Sequence, residues 1–586
     1  MNILQELRDR KHLRDIDIYF AKNIAESFCV PEGELLFALI FNATEGGNTC
    51  LDTEKPELFE FYETYQKDID SVLRKEMINS LIDAGVIAEA PSMNAPFIKA
   101  GNSLYMKSFY SDEKSVADFI KERALRDDQC EIDRLLKVIN SYFPENSMQK
   151  AAAANAALNS LSVISGGPGT GKTTTVFSLI ALMGDISGKP LKTAVCAPTG
   201  KAASRLTETI TEKRNSVSGD SGAEHIPEKA VTIHRLLGMT GDSKRPVYDK
   251  DNKLPYDILV VDEASMVDVR LMAKLIDGLK SDCRLILMGD KDQLASVQPG
   301  AVLGDICLNA PVGDFTKERA ELLSNISDSP LRGSGDRFSN ITIMLDKSYR
   351  YKSDEGIGLL AAAAGAGDAD TALDVLKKDS TGVVDFIKLD DSFESVIGTF
   401  ILDHVKSYTS TDDPANAIEL FNRFRILTPH RKTAGGTDHI NAVALKTLFK
   451  AGINDNTKQF YNGMPVMIVQ NDYGLSLFNG ETGLILGQGE ECRAHFADEN
   501  SKTRMITPAR LPDHVPAYSM TVHKSQGSEF DHVLFVLPES DSKILTRELF
   551  YTALTRARKH LTIISTEKAV YDCIRRKTER ASGLFT

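Results

Sequence analysis

Ser165-Gly166-Gly167-Pro168-Gly169-Thr170-Gly171-Lys172-Thr173-Thr174 follows an apolar run at 161–164 and opens a helical apolar stretch at 176–183. A strand, a glycine-rich turn and a helix in that order make a phosphate-binding loop. Side-chain-free glycines let successive backbone N–H groups wrap phosphate oxygens. The cradle is read as Gly166, Gly167, Pro168, Gly169, Thr170, Gly171, Lys172, Thr173 and Thr174, with Lys172 adding charge near the β and γ groups and Thr173 offering its hydroxyl to Mg²⁺. The stretch therefore predicts a site for a nucleoside triphosphate, ATP, on an α/β fold.

Further apolar runs at 193–197, 258–261 and 285–288 also end in polar or glycine-bearing loops. With the run at 161–164 they read as buried parallel strands whose C-terminal ends deliver functional residues. The run at 258–261 delivers Asp262-Glu263-Ala264-Ser265. Neighbours on a strand point apart, so Asp262 is expected in the Mg²⁺ shell and Glu263 at the γ-phosphate, activating or orienting the attacking water. The run at 285–288 leads into Gly289-Asp290-Lys291-Asp292-Gln293-Leu294, where the Gln293 amide is expected against the γ-phosphate.

A second series of strands is expected from about residue 345, at 424–427, 533–537 and 561–564, giving two related α/β units in tandem. Inside the second, residues 433–515 hold Pro465-Val466-Met467-Ile468-Val469 and the turn Asn479-Gly480, which predict a small β insertion. Residues 1–110 alternate helical apolar patterns with polar joints and carry no catalytic spacing, so a small helical domain is expected there. The division read from the sequence is 1–110, 111–345 and 346–586. Two polar stretches, 207–229 and 314–340, read as surface loops or poorly ordered insertions, and 151–157 as a packing helix.

A chain of 586 residues exceeds one core and suits roughly three or four domains. The net charge of −13 is unevenly placed: residues 1–148 hold 17 Lys and Arg against 27 Asp and Glu, whereas 541–586 hold 10 against 5. An acidic front with no chemistry favours partner docking, and a nucleic-acid footprint belongs to the later domains. Glu6, Arg8, Asp9, Arg10 and Lys11 leave no core for a signal peptide, and no apolar run reaches membrane-spanning length, so a cytoplasmic protein with no membrane partner is expected. Eight cysteines without a Cys-x-x-Cys pair fit reduced thiols, with metal chemistry limited to nucleotide-bound Mg²⁺.

In order along the chain stand Ala197-Pro198-Thr199-Gly200-Lys201-Ala202-Ala203, Thr232-Ile233-His234-Arg235-Leu236, Asp262-Glu263-Ala264-Ser265, Gly289-Asp290-Lys291-Asp292-Gln293, Ser348-Tyr349-Arg350, Val522-His523-Lys524-Ser525-Gln526-Gly527 and Tyr551-Thr552-Ala553-Leu554-Thr555-Arg556-Ala557. This set resembles the motifs of superfamily 1 helicases, and more narrowly those of the RecD-type alpha subunits of exodeoxyribonuclease V, over about residues 140–586. The resemblance implies two tandem RecA-like motor domains with parallel sheets, an SH3-like β insertion, and ATP-dependent 5′ to 3′ movement on DNA. It further implies single-stranded DNA and duplex ends as partners, RecB-like and RecC-like subunits in a heterotrimer, and a part in double-strand break repair by homologous recombination. The nuclease of such an assembly belongs to another subunit, and none is expected in this chain.

By the same resemblance Gln149 would bond the adenine edge, Tyr349 would stack on the base, and Arg350 and Arg556 would reach the γ-phosphate when the two units close. Glu529, beside Gly527, would approach the ribose or transmit nucleotide state. Thr199, Lys201, His234, Thr521, His523 and Lys524 are candidates for a single-strand track, although each histidine fits a packing role equally well. Two other readings stand beside this one: a free-standing 5′ to 3′ helicase of the superfamily, and a structural subunit switched by nucleotide.

Overall fold

The computed structural model describes residues 3–126, 132–145, 147–216, 223–239, 245–310, 312–351, 355–379, 381–454, 459–472, 474–497, 503–540 and 542–585. Strands are numbered here in chain order. The front of the chain packs helices Asp15–Phe28 and Glu34–Glu45 against a four-stranded sheet ordered β1-β4-β3-β2, made of β1 (Leu51–Asp52), β2 (Ile87–Glu89), β3 (Phe97–Ala100) and β4 (Ser103–Met106). Phe37 stacks on Phe97 at 4.9 Å between ring centres, joining helix to sheet. The sheet adds to the helices expected there, because strands of two to four residues are too short to show a period-2 pattern.

The phosphate loop leaves β5 (Leu161–Gly166) in a six-stranded parallel sheet with β6 (Thr193–Ala197), β7 (Val231–Thr232), β8 (Ile258–Val261), β9 (Arg284–Gly289) and β10 (Thr342–Leu345), ordered β10-β5-β9-β8-β6-β7. All four residues of β8 and all six of β5 are buried, as strands covered on both faces require. Helix Met148–Ala157 is buried along most of its length, and its run of alanines lets it lie close to helix Lys172–Ser187. The two polar stretches expected as loops are corrected in part. Helix Gly200–Ser216 occupies the start of the first and helix Lys317–Ser327 the middle of the second, while residues 217–222 lie outside the described residues. Both helices keep only a narrow apolar stripe, with Ile210 or Leu323 pointing inward, and that is why polarity dominated their reading.

The second parallel sheet contains β11 (Val384–Lys388), β12 (Phe424–Thr428), β18 (Ser519–Thr521), β19 (Phe530–Val536) and β20 (Ala557–Ser565), ordered β11-β20-β19-β12-β18. Between β12 and β18 the chain forms a separate antiparallel sheet, β16-β15-β14-β13-β17, from β13 (Met464–Ile468), β14 (Thr482–Leu486), β15 (Arg493–Ala497), β16 (Thr503–Ile506) and β17 (His514–Pro516). Its core holds Val466, Ile468, Ile485 and Phe496.

After helix Glu567–Arg575 the chain crosses back to the front of the molecule as a strap. The Ala581 N–H donates to Asn48 Oδ1 at 2.8 Å and its carbonyl accepts the Thr49 N–H at 3.0 Å, the Gly583 N–H donates to Glu113 at 3.1 Å, and Leu584 is buried in the core of the first α/β unit. The Ser582 hydroxyl lies 2.8 Å from Glu113 Oε1 and 2.9 Å from Asp305 Oδ2, so a single hydroxyl hydrogen serves two buried carboxyl groups. No helix among the described residues is long and apolar enough to cross a membrane.

Candidate active site

The loop between β5 and helix Lys172–Ser187 turns on Gly169 and Gly171, at φ +76° and +80°, where a side chain would be strained. A Cβ on Gly169 would also lie 2.5 Å from Arg350 Cβ, so glycine is needed twice over. Lys172 Nζ donates to the Gly166 carbonyl and, at 3.0 Å, to that of Gly167, holding its charge over the loop. Gln149 Nε2 donates to the Thr170 carbonyl at 3.0 Å, which braces the same turn from helix Met148–Ala157.

The segment leaving β10 lies across this loop. The Tyr349 N–H donates to Gly169 O at 2.8 Å and Ser348 Oγ to Pro168 O at 3.1 Å. The Tyr349 ring is 60 % exposed with Lys347 Nζ 5.3 Å from its centre, an open aromatic face beside the phosphate loop.

At the end of β8, Asp262 Oδ1 accepts the Glu263 N–H at 2.9 Å, and Glu263 itself adopts φ +51°, ψ +40°. That left-handed conformation costs roughly 1 kcal/mol for a residue with a Cβ. It turns the chain sharply so that two adjacent carboxylates line one cavity. Burial, reinforced by Glu263, raises the Asp262 carboxyl above its ordinary range, with Lys172 opposing. A hydroxyl from Thr173 and a carboxylate from Asp262 on the same wall are hard oxygen donors of the kind Mg²⁺ takes.

One cavity of about 230 Å³ is lined by the loop residues Pro168 to Thr174, by Asp262, Glu263 and Gln293, and by Arg350, Glu529 and Arg556. Lys172, Glu263, Gln293, Arg350 and Arg556, scattered over the sequence, thus face one space between the two parallel sheets. Arg556 is 2 % exposed and is held by the carbonyls of Thr552 and Ser528 at 3.1 and 3.2 Å and by Thr555 Oγ1 at 3.4 Å. Arg350 Nη2 pairs with Glu529 Oε1 at 2.7 Å, while its Nη1 is buried without a partner among the described residues.

Glu529 is the hub of this wall. Oε2 takes Arg205 Nη2 at 2.6 Å from the first unit and Arg558 Nε at 3.0 Å from the second. Burial works against its charge, but Arg205 and Arg350 outweigh burial and hold the carboxyl well below the usual range. Arg205, Asp290 and Tyr551 were not singled out in the sequence. Asp290 is buried and accepts from Gln293 Nε2 at 3.1 Å and from the Tyr551 hydroxyl at 2.9 Å. Only Tyr551 and Asp290 carried a signal, through the motif blocks that contain them; Arg205 lies just past its block.

Of the candidate track residues, His234, Thr521, His523 and Lys524 fall at corresponding edges of the two sheets, and Thr199 and Lys201 follow the neighbouring strand β6. Thr232 ends the edge strand β7 and its Oγ1 accepts the Arg235 N–H at 3.2 Å; Thr521 ends the edge strand β18 and its Oγ1 accepts the Lys524 N–H at 3.4 Å. Each cap starts a single helical turn, one bearing exposed His234 and the other the partly buried His523. Thr199 accepts the Ala202 N–H at 3.2 Å at the start of helix Gly200–Ser216. Lys524 Nζ donates to Asn479 at 2.6 Å, on the turn between β13 and β14. Lys201 borders a second cavity of about 630 Å³ where Arg205, Arg235, Arg504 and Arg558 meet Phe478 of the insertion. Burial, then Arg425, pull its ammonium down to about 8.

A family model described as an AAA domain matches residues 149–299, and one described as a UvrD-like helicase C-terminal domain matches residues 516–564. The RecBCD enzyme subunit RecD of Haemophilus influenzae is 33 % identical over 642 residues, covering 100 % of this chain and 99 % of its own. That of Mycolicibacterium smegmatis is 32 % identical over 98 % of this chain and 97 % of its own. The ATP-dependent RecD2 DNA helicase of Deinococcus radiodurans is 31 % identical over 68 % of this chain but only 46 % of its own length. End-to-end identity of this order, on a chain whose two parallel sheets close around a phosphate loop, places it: it belongs to the RecD family of RecBCD enzyme subunits, within the superfamily 1 helicases.

Proposed function

We propose that the chain is an ATP-driven DNA helicase that moves 5′ to 3′ along single-stranded DNA in the cytoplasm, as a subunit beside RecB-like and RecC-like partners, and acts on DNA ends in double-strand break repair by homologous recombination. The observation that supports this reading is the convergence of Lys172, Glu263, Gln293, Arg350 and Arg556 on one 230 Å³ cleft between two α/β units.

In this reading the N–H groups of residues 166–174 wrap the triphosphate, with Lys172 over its β and γ groups. Thr173 and Asp262 would hold Mg²⁺, which when bound would withdraw charge from the triphosphate as a Lewis acid. Glu263 takes up the proton of the attacking water and aims its lone pair in line with the γ-phosphorus. Arg350 and Arg556, projecting from the far wall, neutralise charge on the transferring group, and loss of that group releases the grip between the walls. Tyr349 offers a face for the base. Thr199, Lys201, His234, Thr521, His523 and Lys524 form the track, at or next to the edges of the two sheets, touching phosphates without reading sequence.

The subunit reading is preferred over a free-standing helicase because the RecD relatives match this chain from end to end, whereas the RecD2 helicase is matched over less than half its length. Helix Asp15–Phe28 leaves Ile16, Tyr19 and Phe20 at 56, 68 and 43 % exposure, an apolar face suited to a partner subunit. The test is ATP turnover with and without single-stranded DNA, for the wild type and Lys172→Gln. Turnover stimulated by DNA in the wild type and abolished in a folded Lys172→Gln is expected; stimulated turnover surviving in the variant refutes the assignment.

A further inference from the structure

Gln293 belongs to the first α/β unit by sequence, yet the second unit grips its neighbours Asp290 and Leu294. Asp290, at the end of β9 and 1 % exposed, accepts from Gln293 Nε2 at 3.1 Å and from the Tyr551 hydroxyl of helix Arg547–Leu554 at 2.9 Å. The next residue, Leu294, donates its N–H to Thr552 Oγ1 at 2.9 Å and accepts at its carbonyl from Gln526 Nε2 at 2.9 Å. Its side chain is buried in the hydrophobic cluster of the second unit, with Phe550 and Leu554.

We propose that Asp290 and Tyr551 are a positioning pair that makes the placement of Gln293 in the nucleotide cleft depend on the seating of the second α/β unit. The proposal rests on the cleft being an ATPase site and adds to it which residues carry the coupling. A carboxylate only accepts, so it selects the amide nitrogen of Gln293 and fixes the side chain's rotation. Gln293 Oε1 is thereby left buried with no partner among the described residues, an acceptor ready for a proton-bearing group in the cleft, a water or a guanidinium. Asp292 N–H also donates to Asp290, at 3.1 Å, so three donors converge on one carboxylate and its position is over-determined. When the second unit shifts, Tyr551 and the Leu294 anchor carry the segment with them. Gln293 then leaves its catalytic position. The device needs no contact between Tyr551 and nucleotide.

Tyr551→Phe removes one hydroxyl and keeps the ring. In the full chain, DNA-stimulated kcat is expected to fall about ten-fold, the loss of one hydrogen bond to a charged acceptor, while affinity for a fluorescent non-hydrolysable ATP analogue and the thermal transition stay at wild-type values. Gln293→Ala alone should show a fall at least as large, and adding Tyr551→Phe to it should cost nothing further, since the pair acts through Gln293. A fall in kcat that multiplies in the double variant overturns the proposal, as does an unchanged kcat in Tyr551→Phe while the wild type retains DNA-stimulated turnover. A wild type without turnover instead overturns the ATPase reading on which the proposal stands.

Discussion

Replacing Glu529 by glutamine tests the arginine hub that joins the two walls of the cleft. The carboxylate is 9 % exposed and holds Arg350 at 2.7 Å, Arg205 at 2.6 Å and Arg558 at 3.0 Å, with side-chain exposures of 18, 38 and 49 %. Breaking a buried pair by neutralising one partner costs about 3–5 kcal/mol. The Arg205 and Arg558 pairs are more than a third exposed, so each is discounted to roughly 0–1 kcal/mol. The Arg350 pair carries most of the effect, reduced because the amide oxygen still accepts one guanidinium bond. The expected loss is therefore about 3 kcal/mol, concentrated where the two α/β units meet, and it should persist at high salt because the central pair is screened little. Differential scanning should find the transition of Glu529→Gln below that of the wild type at neutral pH, with DNA-stimulated kcat reduced because Arg350 loses its tether. Glu529 has a depressed native pKa, so its contribution is fully present above the unfolded value of about 4.3 and is lost as pH falls through the lower native value. The gap between wild type and variant should accordingly stay constant from neutral pH down to about 5 and narrow only below that. A variant that melts and turns over like the wild type at neutral pH refutes the hub.

Asp305, beneath the strap, is pushed by burial up to about 6, with Ser582 opposing and Glu113 reinforcing. A raised native pKa means that stability is full below the unfolded value and is surrendered as pH climbs to about 6. Asp305→Asn removes that penalty and can donate to Ser582, so it should raise the thermal transition at pH 8, by at most about 3 kcal/mol in free energy, and do so less at pH 5; an equal gain at both values contradicts it. Lys524→Ala should weaken single-stranded DNA binding equally for all sequences and reduce the slope of log affinity against log salt by about one, measured by fluorescence anisotropy; an unchanged slope removes Lys524 from the track.

Local patterns carried much of this molecule. The phosphate loop and the β5, β6, β8 and β9 strands could be read because buried apolar runs end in polar or glycine-bearing loops, and the antiparallel insertion because an apolar run precedes an Asn-Gly turn; both patterns follow from short-range chemistry. What stayed hidden depends on distance. Arg205 drew no notice in the sequence; only the fold sets it against Glu529, more than three hundred positions away. Asp290 stood in its motif block without a role of its own, since nothing near it in sequence announces Tyr551. The left-handed turn at Glu263 is not signalled by its residue type, which disfavours that conformation. In the front unit, strands such as Leu51–Asp52 exist only because neighbours pair with them.

The strap at residues 578–585 alters the mechanics of closure. The second α/β unit is tied to the first where the chain enters it, past Ser348 and Arg350 on the phosphate loop, and again where the chain leaves it, at Ala581 to Leu584. A body fastened at one point swivels freely; fastened at two, it is restricted to rotation about the line joining them. Any swing that keeps both fastenings has to part the contacts that Arg205 and Asp290 make to Glu529 and Tyr551, so those contacts latch the hinge.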